Sequence, residues 1–344
     1  MGRKPINTRR QLLLGLAVSL IALVIIFLFV DIRQVGAELA AADKPLLAFS
    51  LLSTLAWLLV RAFAWRTLLQ EKAPYRAVFF TLNEGYLLNN LLPFRLGEVG
   101  RAFLLSRKSP VKFMEVLTTI LLERAFDILF AASLVLTLLP FLGGGLLDRS
   151  PLTTSHSLLP TSLAALLVCA GLSVLFWMAR YPLLVSRGFE HLSRRIPLLQ
   201  RLAARHLASF LEGLAVFKDV RRFARAVFWF LLNLAIALVQ YYTVIRAFFP
   251  EAQWVWAAFS LGVSSIGWSL PSSPGGIGVF EGAMLVALAA FSSRTGHGLD
   301  SAKAVACGVV LHFWNYFYTT LLGAYALARD GESLASLYHR IRTP

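Results

Sequence analysis

Hydrophobic and polar positions divide the chain into long apolar runs joined by short polar connections, most of them basic. The runs at 12–30, 46–65, 113–142, 158–179, 226–248 and 304–329 match the length of roughly 20 residues that a helix needs to cross a bilayer. Two further segments are apolar but interrupted. In the first, 77–92 carries Asn83, Glu84, Asn89 and Asn90, and is followed by PFRLGEVGR at 93–101 and a short apolar stretch, 102–105. In the second, apolar runs at 254–268 and 283–291 flank SLPSSPGGIGVFEG at 269–282. Each of those runs is too short to span. Pro271 and Pro274 cannot continue a helix, while Gly275, Gly276 and Gly278 permit a reversal. Non-helical backbone at membrane depth persists only where protein or a watery cavity satisfies it. Both segments therefore predict helical hairpins that enter the membrane and turn back.

The connections orient these elements. Arg61, Arg66, Lys72 and Arg76 mark the inner end of the second span, and Arg107, Lys108 and Lys112 follow the first hairpin. A single crossing there would put one basic flank outside; re-entry from the cytoplasm keeps both inside. The connection 31–45 mixes charges and is expected outside as a loop, and the second hairpin is expected to enter from the outer side. The basic stretch 180–225 has Leu199, Leu202, Phe210, Leu214 and Phe217 near helical spacing, which predicts an amphipathic helix on the inner leaflet. Arg3, Lys4, Arg9 and Arg10 at one end, and Arg329, Arg340 and Arg342 at the other, place both termini in the cytoplasm.

The expected fold is an all-α polytopic integral membrane protein, one membrane domain over 1–344, with about six full spans plus two re-entrant helical hairpins. The order span, span, hairpin, span occurs in 11–142, with its hairpin at 77–108, and again in 158–329, with its hairpin at 254–292. An odd number of crossings in each half inverts the second relative to the first, as in transporters built from inverted repeats.

Composition agrees: 58% of the 344 residues are hydrophobic and 15% charged, against about 25% charged in a soluble domain. The net charge of +15 sits in the connections, which fits anionic headgroups rather than nucleic acid. Cys169 and Cys307 lie in apolar runs and the six histidines lack ligand spacing, so neither disulfide nor metal is expected. The GIG at 276–278 follows no strand and is not a dinucleotide fingerprint. No motif calls for a cofactor.

Charges at membrane depth are costly unless paired or hydrated, which makes them functional candidates. Arg95, Glu98 and Arg101 lie at the first hairpin tip, and Glu281 just beyond the second. Glu123, Arg124 and Asp127 occupy one turn of the third span, with the two carboxylates four residues apart on one face. The returning arms begin near Gly97 and Gly278, and helix N-termini there would favour an anion. Gly275, Gly276 and Gly278 let the backbone approach it. Arginines would hold phosphate, and the carboxylates would position them or take up a proton. The plainer alternative is an ion-pair network that only locks the hairpins to the spans. Glu281 either pairs with an arginine or faces the substrate. Asn89, Asn90, Asn233, Gln240, His312 and Asn315 are candidate pore-lining residues. His312 serves either as a helix–helix hydrogen bond or as a proton relay.

The sequences NNLLPFRLGEVGR at 89–101, ERAFD at 123–127 and PGGIGVFE at 274–281 resemble three signatures of the lysylphosphatidylglycerol synthase transmembrane-region family. In the bifunctional members this region is the flippase that moves aminoacylated phosphatidylglycerol between leaflets. The domain that attaches the amino acid has no counterpart in these 344 residues, so the resemblance implies lipid translocation rather than aminoacyl transfer. Stand-alone relatives are linked to other phospholipids or to polyprenyl-phosphate sugars. The expectation is a lipid flippase of the bacterial inner membrane, a transporter rather than an enzyme. Its partners are anionic or phosphate-bearing lipids, and a homo-oligomer is compatible. A membrane-embedded transferase acting on lipid-linked sugars and a non-catalytic scaffold are the alternatives. The hairpin reading predicts that Arg76→Cys and Ser106→Cys label from the same membrane face; labelling from opposite faces would make the first hairpin a span.

Overall fold

The computed structural model describes residues 31–92, 95–139, 219–269, 274–292 and 300–331, with scattered positions between 166 and 188. The predicted segment 12–30, and most of 158–179 and 180–225, lie outside the described residues. Every described element is helical: α1 (Ile32–Ala41), α2 (Lys44–Leu68), α3 (Tyr75–Leu91), α4 (Leu96–Lys108), α5 (Phe113–Leu138), α6 (Val220–Phe248), α7 (Trp254–Ser269), α8 (Val279–Ser292) and α9 (Ser301–Arg329), with a 3-10 turn at Pro274–Gly276.

Aspartate starts four of these helices. Asp31, Asp43, Asp219 and Asp300 each accept a backbone N–H from the first turn of α1, α2, α6 and α9, the ordinary N-cap arrangement. This corrects the reading of 31–45 as a loop. Its acidic residues Asp31 and Asp43 are helix caps, and between them α1 packs on α9 and adds Val35 to the core.

Among the described residues, four stretches are long and apolar enough to cross a membrane: Lys44–Leu68, Val220–Phe248, Pro274–Phe291 and Ser301–Arg329. Polarity is distributed inside out. Phe49, Leu52, Phe228, Phe313 and Leu321 are exposed, while Arg61, Arg101, Glu84 and Glu123 are buried. Such a surface is stable against lipid and not against water.

Helices α3 and α4 fold back on each other, as do α7 and α8. The first reversal runs through Arg95, whose φ of 54° is left-handed; the second runs through Gly275, Gly276 and Gly278, all at positive φ. Packing between the pairs is reciprocal. Helix α2 meets α6, α3 meets α9, and α7 meets α5. The two hairpins lie along opposite halves of α9. At its far end, Lys108 of the first hairpin pairs with Asp330, and the Arg329 guanidinium stacks on Phe80, 4.2 Å from the ring centre. Near its start, a Cβ on Gly308 would lie against Glu281 and Met284 of the second hairpin. The tips meet midway: Asn90 donates to Thr319 (3.0 Å), and His312 reaches the Gly275 carbonyl. Just past α9, burial raises the Asp330 carboxyl, but the Arg329 and Lys108 cations outweigh it and hold the group below the ordinary aspartate range.

The core follows the same division. One cluster joins Leu58 and Trp65 of α2 to Val78, Leu82, Ala102 and Ile120 of α3–α5. Another joins Val244, Leu261, Met284 and Leu311 of α6–α9. Gly97 fixes the first hairpin's spacing, because a Cβ there would run into the Gly85 carbonyl and the Asn89 side chain. Gly97→Ala is expected to destabilise the protein by about 1–3 kcal/mol, read as a lowered Tm in detergent. Gly36→Ala, where a Cβ meets nothing within 4 Å, should leave Tm level or raised.

Candidate functional site

The buried charges of the first half converge on one carboxylate. Glu123 of α5, without exposed side-chain surface, is met by arginines from three helices. Arg61 of α2 donates from Nη2 to Oε1 at 2.7 Å, Arg124 from Nη2 to Oε1 at 2.7 Å, and Arg101 of α4 from Nη2 to Oε2 at 2.9 Å. Arg61 also holds Asp127 with both forks, at 2.7 and 2.6 Å. The bidentate form adds geometric specificity to the charge pairing. Behind it, the Arg101 guanidinium lies over Trp65, 4.5 Å from the ring centre, and the Trp65 indole N–H donates to Thr119. Glu98 pairs with Arg95 and Arg124, both at 3.3 Å.

This cluster forms one wall of a cavity of about 190 Å³. Arg61, Arg95, Arg124 and Asp127 line it, together with the amides Asn89, Asn90, Asn233, Gln240 and Asn315, and His312. Asn233 receives a longer contact from Arg61, at 3.4 Å, and donates to the Trp57 carbonyl. Gln240 donates to Thr54, and the Tyr241 and Ser264 hydroxyls bond each other. Arg95 crosses from the first hairpin tip to the Trp268 carbonyl in the last turn of α7. Glu98, Arg101 and Glu123 stand behind the wall, and Gly275, Gly276, Gly278 and Glu281 lie at the second tip rather than on the wall.

Three sequence expectations change. Arg61, read as an inner flank, is buried within α2 at the centre of the ion network. Its isolation in an otherwise apolar run was the available signal. Glu281 neither pairs with arginine nor faces the cavity; its Oε1 lies 2.5 Å from His312 Nδ1. The N–H groups of Gly97 and Gly278 are also engaged. Gly97 donates to Asn89 Oδ1 (2.9 Å) and Gly278 to Glu281 Oε2 (2.7 Å), so positive charge in the site comes from arginine. The ion pair of Glu84 with Lys108, at 2.6 Å, lies apart from the cavity and ties the arms of the first hairpin. Among the described residues there is no cluster suited to a metal ion.

Helices with exposed apolar and buried charged side chains, packed around a polar cavity, define a multi-pass membrane protein with an internal charged site. More particularly, the chain belongs to the family described as lysylphosphatidylglycerol synthase TM region, whose model matches residues 12–323. Membership places its function among membrane-lipid processes. The chain is also similar to glycosyltransferase AglD of Haloferax volcanii, 25% identical over 342 residues, covering 90% of this chain and 53% of AglD. It thus spans about half the length of that relative.

Removing Arg61 would leave Glu123 and Asp127 short of their shared partner. Arg61→Ala is expected to cost about 3–5 kcal/mol, measured as a fall in Tm in nanodiscs. Arg61→Lys should recover only part of that loss, since an ammonium cannot reproduce the fork.

Proposed function

We propose that this protein moves an anionic phospholipid or polyprenyl-phosphate lipid between the leaflets of a bacterial inner membrane. Charge balance in the site carries the reading. Arg61, Arg95, Arg101 and Arg124 face the carboxylates of Glu98, Glu123 and Asp127, which leaves one guanidinium charge in excess. Arg95 and Arg124 keep 21% and 20% of their side-chain surface accessible, and forked donors suit phosphate oxygens. In this mechanism Arg95 and Arg124 hold the phosphate. Glu98, Glu123 and Asp127 set their positions, and the cavity amides line the headgroup's path while the acyl chains stay in lipid.

The same reading takes α3–α4 and α7–α8 as re-entrant hairpins entering from opposite faces, with 12–30 and 158–179 completing six spans and both termini cytoplasmic. Reciprocal packing of the two halves, and tips that meet midway along α9, support an inverted repeat with its site at mid-membrane. The relative named as a glycosyltransferase supports a second reading, a transferase on lipid-linked sugars with Glu98, Glu123 or Asp127 as general base. Arginine pairing of all three weighs against it, because it engages carboxylate oxygens that a base would present to its substrate.

The two readings separate in liposomes carrying headgroup-labelled phosphatidylglycerol or a labelled polyprenyl-phosphate sugar, with a hydroxyl-bearing acceptor lipid present. Transport predicts faster appearance of label on the opposite leaflet with lipid mass unchanged, and about tenfold or greater slowing in Arg95→Ala, the loss of a charge-assisted contact. No acceleration with either lipid would count against transport, and an altered lipid mass would establish the transferase.

A further inference from the structure

His312 sits where the second hairpin turns, and both of its ring nitrogens face oxygen. Nδ1 lies 2.5 Å from Glu281 Oε1, and Nε2 lies 2.9 Å from the Gly275 carbonyl. A carbonyl oxygen only accepts, so the short Nε2 contact calls for a proton on that nitrogen. Glu281 Oε2 accepts the Gly278 N–H, so a carboxyl proton would sit on Oε1. A neutral ring protonated at Nε2 turns the bare Nδ1 toward an ionised Oε1. The other neutral tautomer turns bare Nε2 toward the Gly275 carbonyl. Each sets two acceptors face to face in a buried site, which is unfavourable. Two arrangements avoid this: an imidazolium beside a carboxylate, or a neutral imidazole accepting from Oε1–H. They differ only in which atom carries the proton. Both contain one proton more than a neutral histidine with an ionised glutamate.

We propose that His312, Glu281 and the Gly275 carbonyl form a proton-binding site that locks the tip of the second hairpin to α9, and that the tip is released when the proton leaves. On release the proton passes to water, leaving neutral imidazole and carboxylate, and one of the two His312 contacts breaks. Loss of the Gly275 contact frees the turn; loss of the Glu281 contact frees the first turn of α8.

The groups packed around this pair are aromatic or already bonded elsewhere. Trp268 of α7 and Phe280 of α8 cover the ring at centroid distances of 5.4 and 5.2 Å. Tyr316 of α9 meets it at 5.1 Å and donates its hydroxyl to the Asn90 carbonyl of α3. Tyr241 of α6 is bonded to Ser264, and Arg95 from α4 is held on the Trp268 carbonyl. Arg61 of α2 and Arg124 and Asp127 of α5 line the same cavity, bound in the Glu123 network. The corresponding tie in the first half, Arg101 of α4 to Glu123 of α5, uses a guanidinium, which keeps its proton. Histidine is the side chain that exchanges one between about pH 5 and 8. Of these two ties, the one in the second hairpin is therefore the one that depends on a proton.

The proposal rests on the translocation reading only in taking this tip as a moving part. Its test is thiol labelling of Ser264→Cys, a buried position on the cavity wall, in the reconstituted full chain carrying Cys169→Ala and Cys307→Ala. Rates are normalised to Glu251→Cys, in the exposed connection before α7, to remove thiol ionisation. The normalised rate should rise about tenfold from about pH 6 to about 8.5, as the lock loses its proton. Glu281→Gln reproduces the proton-bound geometry, its amide donating to Nδ1 and its oxygen accepting from Gly278. It should label slowly at both pH values. His312→Ala should label fast at both; if it fails to fold, Glu281→Gln decides. A pH-independent rate in the parent chain, or a pH response retained in Glu281→Gln, overturns the proposal. Labelling needs no cargo. A pH response without lipid movement would overturn translocation and leave the lock standing, and lipid movement without a pH response would overturn the lock alone.

Discussion

A single carboxylate with no exposed surface holds the first half of this protein together. Glu123 receives arginines from α2, α4 and α5. Burying an ion costs several kcal/mol after relaxation, recovered only with good geometry and satisfied hydrogen bonds. Both oxygens of Glu123 are occupied, and Asp127 completes the fork of Arg61. Removing Glu123 would leave Arg101 buried without its carboxylate. The returning arm of the first hairpin therefore cannot drift from α5 without breaking Arg101 from Glu123. Through Arg61 and Asn233 the same network reaches α6 in the other half.

The two halves share a packing plan and differ in the chemistry that secures it. In each, the returning hairpin arm is tied by a pair of side chains to the helix that follows: Arg101 to Glu123 in one, Glu281 to His312 in the other. The first tie uses a permanently charged partner and the second a titratable one. The outer bond between the hairpins, Arg95 to the Trp268 carbonyl, is a side-chain contact on an accessible arginine. An anion drawn to Arg95 would compete with that carbonyl, so ligand and hairpin contact are coupled through one guanidinium.

Much of this was legible in the sequence because it is local. Proline and glycine punctuation located both reversals, and alternating apolar runs located α2, α5, α6 and α9. The polar positions in those runs pointed to Asn233, Gln240, His312 and Asn315, which the structure brings to one cavity. What escaped depends on pairing at long range. Arg61 and Glu123 are 62 positions apart, and Glu281 and His312 are 31 apart. No periodicity connects such residues. Arg61 was also obscured by the rule that basic residues mark inner span ends, since it precedes a truly basic flank, Arg66, Lys72 and Arg76. Helix α1 escaped because an aspartate cap and an outward loop have the same composition.

Cavity size narrows what the site can do. At about 190 Å³ the cavity is smaller than the roughly 300–1,000 Å³ of pockets that take drug-sized ligands. That is room for a phosphate and its immediate substituents, and not for an acyl chain. If a lipid uses this site, its tails remain in the membrane and only the headgroup enters. The ion network makes a break between α2, α4 and α5 costly. The second hairpin, held at its tip by Arg95 on one side and His312 on the other, contributes no arginine, lysine or carboxylate of its own to the cavity lining among the described residues. Both contacts involve its backbone carbonyls, at Trp268 and Gly275, so they can be remade after release without a change in side-chain packing. Fixed ion pairs thus gather on the wall built by α2, α4 and α5, and exchangeable hydrogen bonds at the tip of the second hairpin.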